Sequence, residues 1–341
     1  ALYFSDSVYV GWVPGGLIEL TAVDPQLGPV FYSFDPQTVR SSRPKFERDS
    51  DCLRCHGGTF VRDVPGVFAR SVFPAESGEP LLRHGSEIVD DETPFEQRWG
   101  GWYVTGYAGE LSHRGNTFGS EDGDQLIFNL STQRPGELSG FFDTSRYPAK
   151  TSDVVALLVF EHQMAVQNAL THAAHHCRKM LDYQRSLQET MKEPLTDQPS
   201  YDSVKSVFAS AVEKVVDRLL FRHAAPLPAG VTGDAAFRKV FGQDAPRSPA
   251  GDALKDLRLS DRLFANRCSY LIYSDTFTAL PSPLKTRIFD RLYAALHDDE
   301  PKSRYAYLEK EERRRIFEIL VATHPEVKTR WLRQEDRQAA R

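Results

Sequence analysis

The sequence predicts an α+β protein, with an irregular, strand-containing region at residues 1–150 and an all-helical region at residues 151–341. The first region is rich in glycine, proline and aromatic residues, and its apolar side chains alternate in short runs. From about Thr151 onward, apolar residues recur at helical spacing instead. The helical region begins with the apolar run 154–160, which must be buried. We therefore expect the helical region to pack on the first region.

The individual elements follow from the same patterns. Short strands are predicted at residues 30–34, 102–105 and 125–128, between turn signals such as Asp122-Gly123. A long helix is predicted after the capping residues 151–153 and up to about residue 193, where Pro194 ends it. Further helices are predicted between segments rich in proline and glycine, at residues 201–223, 234–241, 249–257, 260–277, 283–297 and 309–323.

Length and charge exclude some classes of protein. The 341 residues are enough to bury two ordinary cores. The chain has 42 basic and 47 acidic residues, for a net charge of -5, which argues against a general nucleic-acid binder. Its longest apolar run, 154–160, is far shorter than the roughly 18 residues of a membrane-spanning helix. We expect neither a nucleic-acid partner nor a membrane span.

The most informative motif is Cys52-Leu53-Arg54-Cys55-His56, which has the spacing C-x-x-C-H. Two thiols one helical turn apart can add to the two vinyl groups of a haem, and the following histidine then ligates the iron. The chain has only 4 cysteines and 10 histidines, so a chance match is on the order of one in a thousand. The motif predicts one haem c, attached at Cys52 and Cys55, with iron bound by His56.

Two other interpretations of the cysteines remain open. A zinc site needs four ligands, usually from a second pair at short spacing, but Cys177 and Cys268 are isolated. A redox dithiol of the thioredoxin type needs a βαβ unit, and none precedes Cys52. Cys177 and Cys268 themselves are predicted to be either a disulfide, in an oxidising compartment, or two buried thiols.

The second axial position of the iron is predicted to be filled by a histidine. The only methionines, Met164, Met180 and Met191, all lie on the long helix, where methionine usually fills the core. His113 lies in a polar, glycine-containing loop that follows an aromatic run, so it is the preferred ligand. His162, beside the apolar start of the long helix, is the second candidate.

Other residues are predicted to line the haem. Trp102 is expected to supply an apolar wall, and arginines can pair with the two propionates. Arg98 is the preferred arginine, and the other candidates are Arg62, Arg70 and Arg114. Glu161 and His162 are adjacent polar residues able to do acid–base work beside the iron, so they are the candidate catalytic groups if the protein is an enzyme.

A resemblance extends over nearly the whole chain. It is carried by the haem motif and by the segments Gly28-Pro29-Val30-Phe31-Tyr32, Val64-Pro65-Gly66, Arg98-Trp99-Gly100-Gly101-Trp102-Tyr103, His113-x-Gly115-Asn116 and Glu161-His162-Gln163. Together these resemble a group of large bacterial monohaem cytochrome c-like proteins. The resemblance implies a covalent haem and export, and names no substrate. Small cytochromes place the motif on an N-terminal helix, whereas proline, glycine and strand-like segments flank it here. We therefore do not expect the small cytochrome c fold.

Three functions are compatible with these observations. The first is electron transfer between periplasmic redox partners through a six-coordinate haem with two histidine ligands. The second is a haem enzyme with an open distal pocket that acts on a peroxide, a nitrogen oxide or an organic substrate. The third is a haem-based redox or gas sensor. Thioether attachment normally takes place outside the cytoplasm, so we expect a periplasmic or exported bacterial protein whose signal peptide is absent from this sequence.

Overall fold

A five-stranded antiparallel sheet opens the chain. The computed structural model describes residues 1–37 and 45–339. The sheet strands lie in chain order, each paired with the next: β1 (Leu2–Phe4), β2 (Val8–Trp12), β3 (Ile18–Asp24), β4 (Gly28–Phe34) and β5 (Glu47–Arg48). The strand predicted at 30–34 is confirmed within β4, where Phe31 lies opposite Thr21 of β3.

Short elements joined by loops complete the first region. They are α1 (Leu53–His56), β6 (Ala69–Ser71), β7 (Glu87–Val89), β8 (Ser120–Asp122) and β9 (Gln125–Ile127). The strand predicted at 125–128 is confirmed as β9. The strand predicted at 102–105 is wrong, since only Thr105 forms a single bridge, to Asp153. Trp99 and Gly101 have φ angles of 65° and 85°, and the Trp102 amide closes this turn onto the Trp99 carbonyl. After this turn, the amide and carbonyl of Val104 are bonded by the Asn116 side chain, at 2.7 and 2.8 Å, and not by a neighbouring strand.

Helices dominate the second region, which confirms an α+β protein with a helical C-terminal part. They are α2 (Val154–Met191), α3 (Asp202–Leu219), α4 (Ala235–Gly242), α5 (Asp275–Thr278), α6 (Ser282–Leu296), α7 (Lys310–Thr323) and α8 (Pro325–Ala339). The long helix begins where the sequence predicts, because the Asp153 carboxylate accepts a hydrogen bond from the Ala156 amide at 2.9 Å. Helix α8 was not predicted.

Two predicted helices are wrong. Residues 249–257 form no helix, and residues 260–277 contain only a 3₁₀ turn at Tyr270–Tyr273 and part of α5. The backbone reverses at Gly251 and again at Leu259, with φ angles of 91° and 58°. Leu257 then pairs with Phe264 in a single antiparallel bridge. The apolar residues of this segment are buried by a folded loop, so their spacing does not require a helix.

Helix α2 is the centre of the packing. Its first half is largely buried, and the helix packs against α3, which in turn packs against α6. The same helix contacts the first region, where the Asn168 side chain bonds both the amide and the carbonyl of Val67. Among the described residues, no helix is long and apolar enough to cross a membrane.

Candidate cofactor-attachment site

The C-x-x-C-H motif folds into a single helical turn. Cys52 immediately precedes α1, and the His56 amide donates to the Cys52 carbonyl at 2.9 Å. Cys52 is half-buried, Cys55 is exposed, and both thiols are free. The turn follows the five-stranded sheet and does not begin a long N-terminal helix. Both thiols therefore lie on one exposed turn, where a bulky electrophile can reach them.

His56 is held in one orientation by its neighbours. Its ring packs against the rings of Phe31 and Phe68, with ring centroids 4.8 and 4.7 Å away. Its Nδ1 lies 3.0 Å from the carbonyl oxygen of Gly66. A carbonyl can only accept, so Nδ1 carries the proton and Nε2 carries a lone pair. No described residue makes a hydrogen bond to Nε2. Burial lowers the pKa of His56, so its imidazole is neutral at pH 7. This is the state of a metal-ligating histidine, whose second nitrogen typically donates to a carbonyl.

Gly66 is needed for this geometry. A Cβ atom at position 66 would lie 2.7 Å from Val61 Cβ and 2.9 Å from Asn168 Oδ1. The Gly66 amide also donates to the His56 carbonyl at 2.9 Å, so the two residues are bonded in both directions. Asn168 of α2 holds the next residue, Val67, through two hydrogen bonds. The central helix thus fixes the carbonyl that orients His56.

The surroundings of the motif suit a flat, amphiphilic group. Phe46 and Phe60 are 42% and 56% exposed, which is unusual for large apolar side chains. The Arg62 guanidinium makes no ion pair or hydrogen bond with any described residue. Arg70 lies with its guanidinium 5.9 Å from the Phe60 ring centre. These features together fit a covalently attached haem. The thiols are within reach of a ligand, the imidazole is neutral with one free nitrogen, and exposed aromatic rings and an unpaired guanidinium lie nearby.

A purely protein-bound metal fits less well. In residues 1–37 and 45–339, no group of three or more histidine, cysteine, aspartate or glutamate side chains is placed to hold a metal ion. A structural zinc site needs four such ligands. Cys177 and Cys268 are fully buried free thiols, and burial raises the pKa of each to about 12. Of the two interpretations of these residues, the structure agrees with two buried thiols.

Arg98 and Glu161 do not lie at the motif. The Arg98 guanidinium donates to Glu161 at 2.6 Å and to the carbonyls of Thr93 and Asp91. Glu161 also accepts from the indole of Trp99 at 2.9 Å. Arg98 and Glu161 are each only 1% exposed. Neither side chain is available to a propionate or a substrate, so these two expectations are corrected: the pair is an internal ion pair of the core.

His162 is also fully engaged. Its Nδ1 lies 2.7 Å from the Asp91 carboxylate and its Nε2 lies 2.8 Å from the Ser269 hydroxyl. Both ring nitrogens are used, so this arrangement leaves none for iron, and the prediction of His162 as an iron ligand is corrected. The Asp–His–Ser order resembles a hydrolytic triad. However, His162 and Ser269 are 0% exposed and Phe221 stacks on the imidazole at 4.1 Å, so no substrate reaches the hydroxyl.

His113 is buried away from the residues that contact His56. It is 2% exposed, its ring meets the Trp99 ring edge-on at 5.0 Å, and its backbone pairs with Ser131. Trp99, which contacts His113, is bonded to Glu161 of α2. The loop that carries Gly66 and Val67 is bonded to Asn168 of α2, which is seven residues and about 10 Å further along the helix. No described contact joins His113 to His56 or to the residues that hold it.

Trp102 packs in the core next to the loop that carries Gly66 and Val67. Its indole donates to the Arg70 carbonyl at 2.9 Å, and its ring lies 6.4 Å from that of Phe160 on α2. It packs in a small core cluster with Val67, the residue after Gly66. Trp102 is therefore a structural support and not an exposed wall. Of the remaining candidate arginines, Arg114 pairs with Glu87, Arg62 lines a cleft with Phe60 and Phe68, and Arg70 lies near Phe60 and donates to Ser86 at 2.5 Å.

Sequence reasoning missed Gly66, Phe31, Phe68 and Asn168 as the residues that position His56. The segments that carry the resemblance contain Gly66 and Phe31, but no periodicity marks them as neighbours of His56. No protein-family model, curated protein or solved structure matches this chain. The evidence for function therefore lies in the residues themselves.

Proposed function

We propose that the chain is an exported monohaem c-type cytochrome that passes single electrons between redox partners. The observation that carries this proposal is the His56 imidazole, whose Nδ1 proton is bound by the Gly66 carbonyl while Nε2 stays free, one residue after an exposed cysteine. Cys52 and Cys55 would hold the haem through thioethers, and His56 would ligate its iron. When bound, the haem supplies a reversible one-electron couple.

The protein residues around the motif favour electron transfer over catalysis. The attachment turn is exposed, so one edge of the group would face solvent and a partner protein. Phe31 and Phe68 both pack against the imidazole, which would restrict movement of the ligand during electron uptake and release. Glu161 and His162, the acid–base candidates for an enzyme, are bound inside the core. Arg62 and Arg70 are the best-placed partners for the propionates.

The test is covalent retention of haem after co-expression with a cytochrome c maturation system in a bacterial periplasm. We expect colour to stay with the polypeptide through acid–acetone extraction and denaturing electrophoresis. Replacing Cys52 and Cys55 together by Ala should abolish attachment, whereas replacing the buried Cys177 by Ala should leave it intact. His56→Ala should keep the thioethers but change the ferric and ferrous spectra. Haem that leaves with the solvent in the native protein would refute the proposal.

A further inference from the structure

A cavity of about 320 Å³ lies between α2 and the loops at residues 221–227 and 261–267, away from the attachment turn. This volume is within the usual range for small-molecule sites. Its apolar walls include Leu158, Leu227, Leu263 and the rings of Phe221 and Phe264, whose centres are 5.4 Å apart. Nothing in the proposed electron-transfer function uses this space. The cavity is large enough, and apolar enough, to hold a compact organic molecule.

The cavity also contains an under-paired arginine. The Arg262 Nε is buried and has no hydrogen-bond partner. One terminal nitrogen donates to the Ala265 carbonyl at 3.2 Å and lies 3.4 Å from a Glu312 carboxylate oxygen, and the other lies 3.8 Å from Asp261. Glu312 is already occupied by Arg267, at 2.7 Å. Burial lowers the pKa of Arg262, but an arginine remains charged at neutral pH. A guanidinium whose Nε–H is buried and unpaired has a donor that can bind an anion.

The acidic residues that line the cavity do not offset this charge. Asp91 is paired with Arg218 at 2.9 Å and also accepts from His162. Asp261, at the mouth, is paired with Arg258 at 2.6 Å. Each of these carboxylates therefore has a closer cation than Arg262, whose ion pairs are long and whose Nε has no partner. The cavity combines apolar walls with one unsatisfied positive donor.

Phe221 separates this cavity from the buried His162. Its φ angle is 58°, an uncommon and strained conformation for a bulky residue. The strained backbone turns the ring so that it stacks on His162 and forms one cavity wall. The Phe221 side chain thus covers the hydrogen-bonded His162 on one side and forms an aromatic wall of the cavity on the other.

From these observations we infer that the cavity is a binding site for a small carboxylic acid with a compact apolar body. The carboxylate accepts a hydrogen bond from the free Nε–H of Arg262. The apolar body lies against Phe221, Phe264 and Leu227. No lining residue of this site belongs to the attachment turn, so the inference does not depend on the proposed haem.

The experiment is a titration of the full-length purified protein with benzoate and with the uncharged analogue benzyl alcohol, followed by calorimetry and by thermal shift. We expect benzoate to bind and to raise the melting temperature, and benzyl alcohol to bind at least about tenfold more weakly. Arg262→Gln should weaken benzoate about tenfold or more. Arg247→Gln, an exposed arginine paired with Asp256 outside the cavity, is the matched control and should leave binding unchanged.

A second variant keeps the test decisive if Arg262→Gln folds poorly. Ala224→Leu adds bulk to the half-buried cavity wall and should abolish binding of benzoate without removing a charge. Equal affinity for benzoate and benzyl alcohol would overturn the role of Arg262. Unchanged binding in Ala224→Leu, or no binding by a folded wild-type protein at millimolar benzoate, would overturn the site. Each outcome can be read on preparations with or without covalent haem, so it is independent of the proposed electron transfer.

Discussion

His56 and His162 lie in opposite environments, and the contrast separates the attachment turn from the buried core. His56 is half-buried and uses one ring nitrogen, while His162 is fully buried and uses both. Six residues after His56, the Arg62 guanidinium makes no ion pair with a described residue, whereas near His162 the arginines Arg98 and Arg218 are paired with carboxylates. The same residue types therefore perform different tasks. A histidine or arginine is available to a cofactor only where the fold leaves one of its hydrogen-bonding atoms unused.

The largest expected effect is on the buried side of this comparison. Glu161→Ala would leave Arg98, which is 1% exposed, without its carboxylate, and an unpaired buried charge of this kind costs about 3–5 kcal/mol of stability. Chemical denaturation measures this loss. Glu189→Ala, an exposed position on the same helix, is the control and should change stability by about 0.5 kcal/mol or less. The haem content per folded molecule should not change in either variant. A stable Glu161→Ala protein that loses its haem would contradict the assignment of Glu161 to the core and not to the haem site.

A slightly smaller effect concerns His113 and pH. Burial lowers the pKa of His113 from 6.5 to about 4, so it stays neutral in the folded state while the unfolded chain takes up a proton below pH 6.5. The unfolded state then binds more protons, so this contribution to stability is complete above pH 6.5 and is lost as pH falls towards 4. It amounts to about 3 kcal/mol. His113→Phe should therefore show a shallower fall in stability over this window. Parallel curves for the two proteins would show that His113 does not titrate as its burial requires.

The smallest effect tests the attachment side. Gly66→Ala introduces a methyl group against Val61 and Asn168, and overpacking of this kind costs about 1–3 kcal/mol. The shift should also displace the carbonyl that binds His56 Nδ1, so the yield of covalent haem with normal iron ligation should fall. Gly136→Ala, with no atom within 4 Å of the added Cβ and no positive φ, is the matched control. Normal spectra in Gly66→Ala would show that the Gly66 carbonyl does not orient His56.

The sequence by itself determined the features that depend on neighbours along the chain. Cys52, Cys55 and His56 lie within one helical turn, so their spacing alone places them together. The start of α2 follows from Asp153 and the apolar periodicity behind it, since a cap acts within the first turn. Local rules failed at residues 249–257, where a folded loop buries the apolar side chains that periodicity assigned to a helix.

Tertiary structure decided which polar side chains remain available. Glu161 meets Arg98 across 63 positions, and His162 meets Asp91 and Ser269 across 71 and 107. The same is true of His56, whose orientation depends on Gly66 and, through Val67, on Asn168 of α2. No pattern in the sequence encodes such pairings, because a hydrogen bond depends on where two distant segments are brought by packing of the whole core. That packing leaves His56 Nε2 free and takes up both nitrogens of His162.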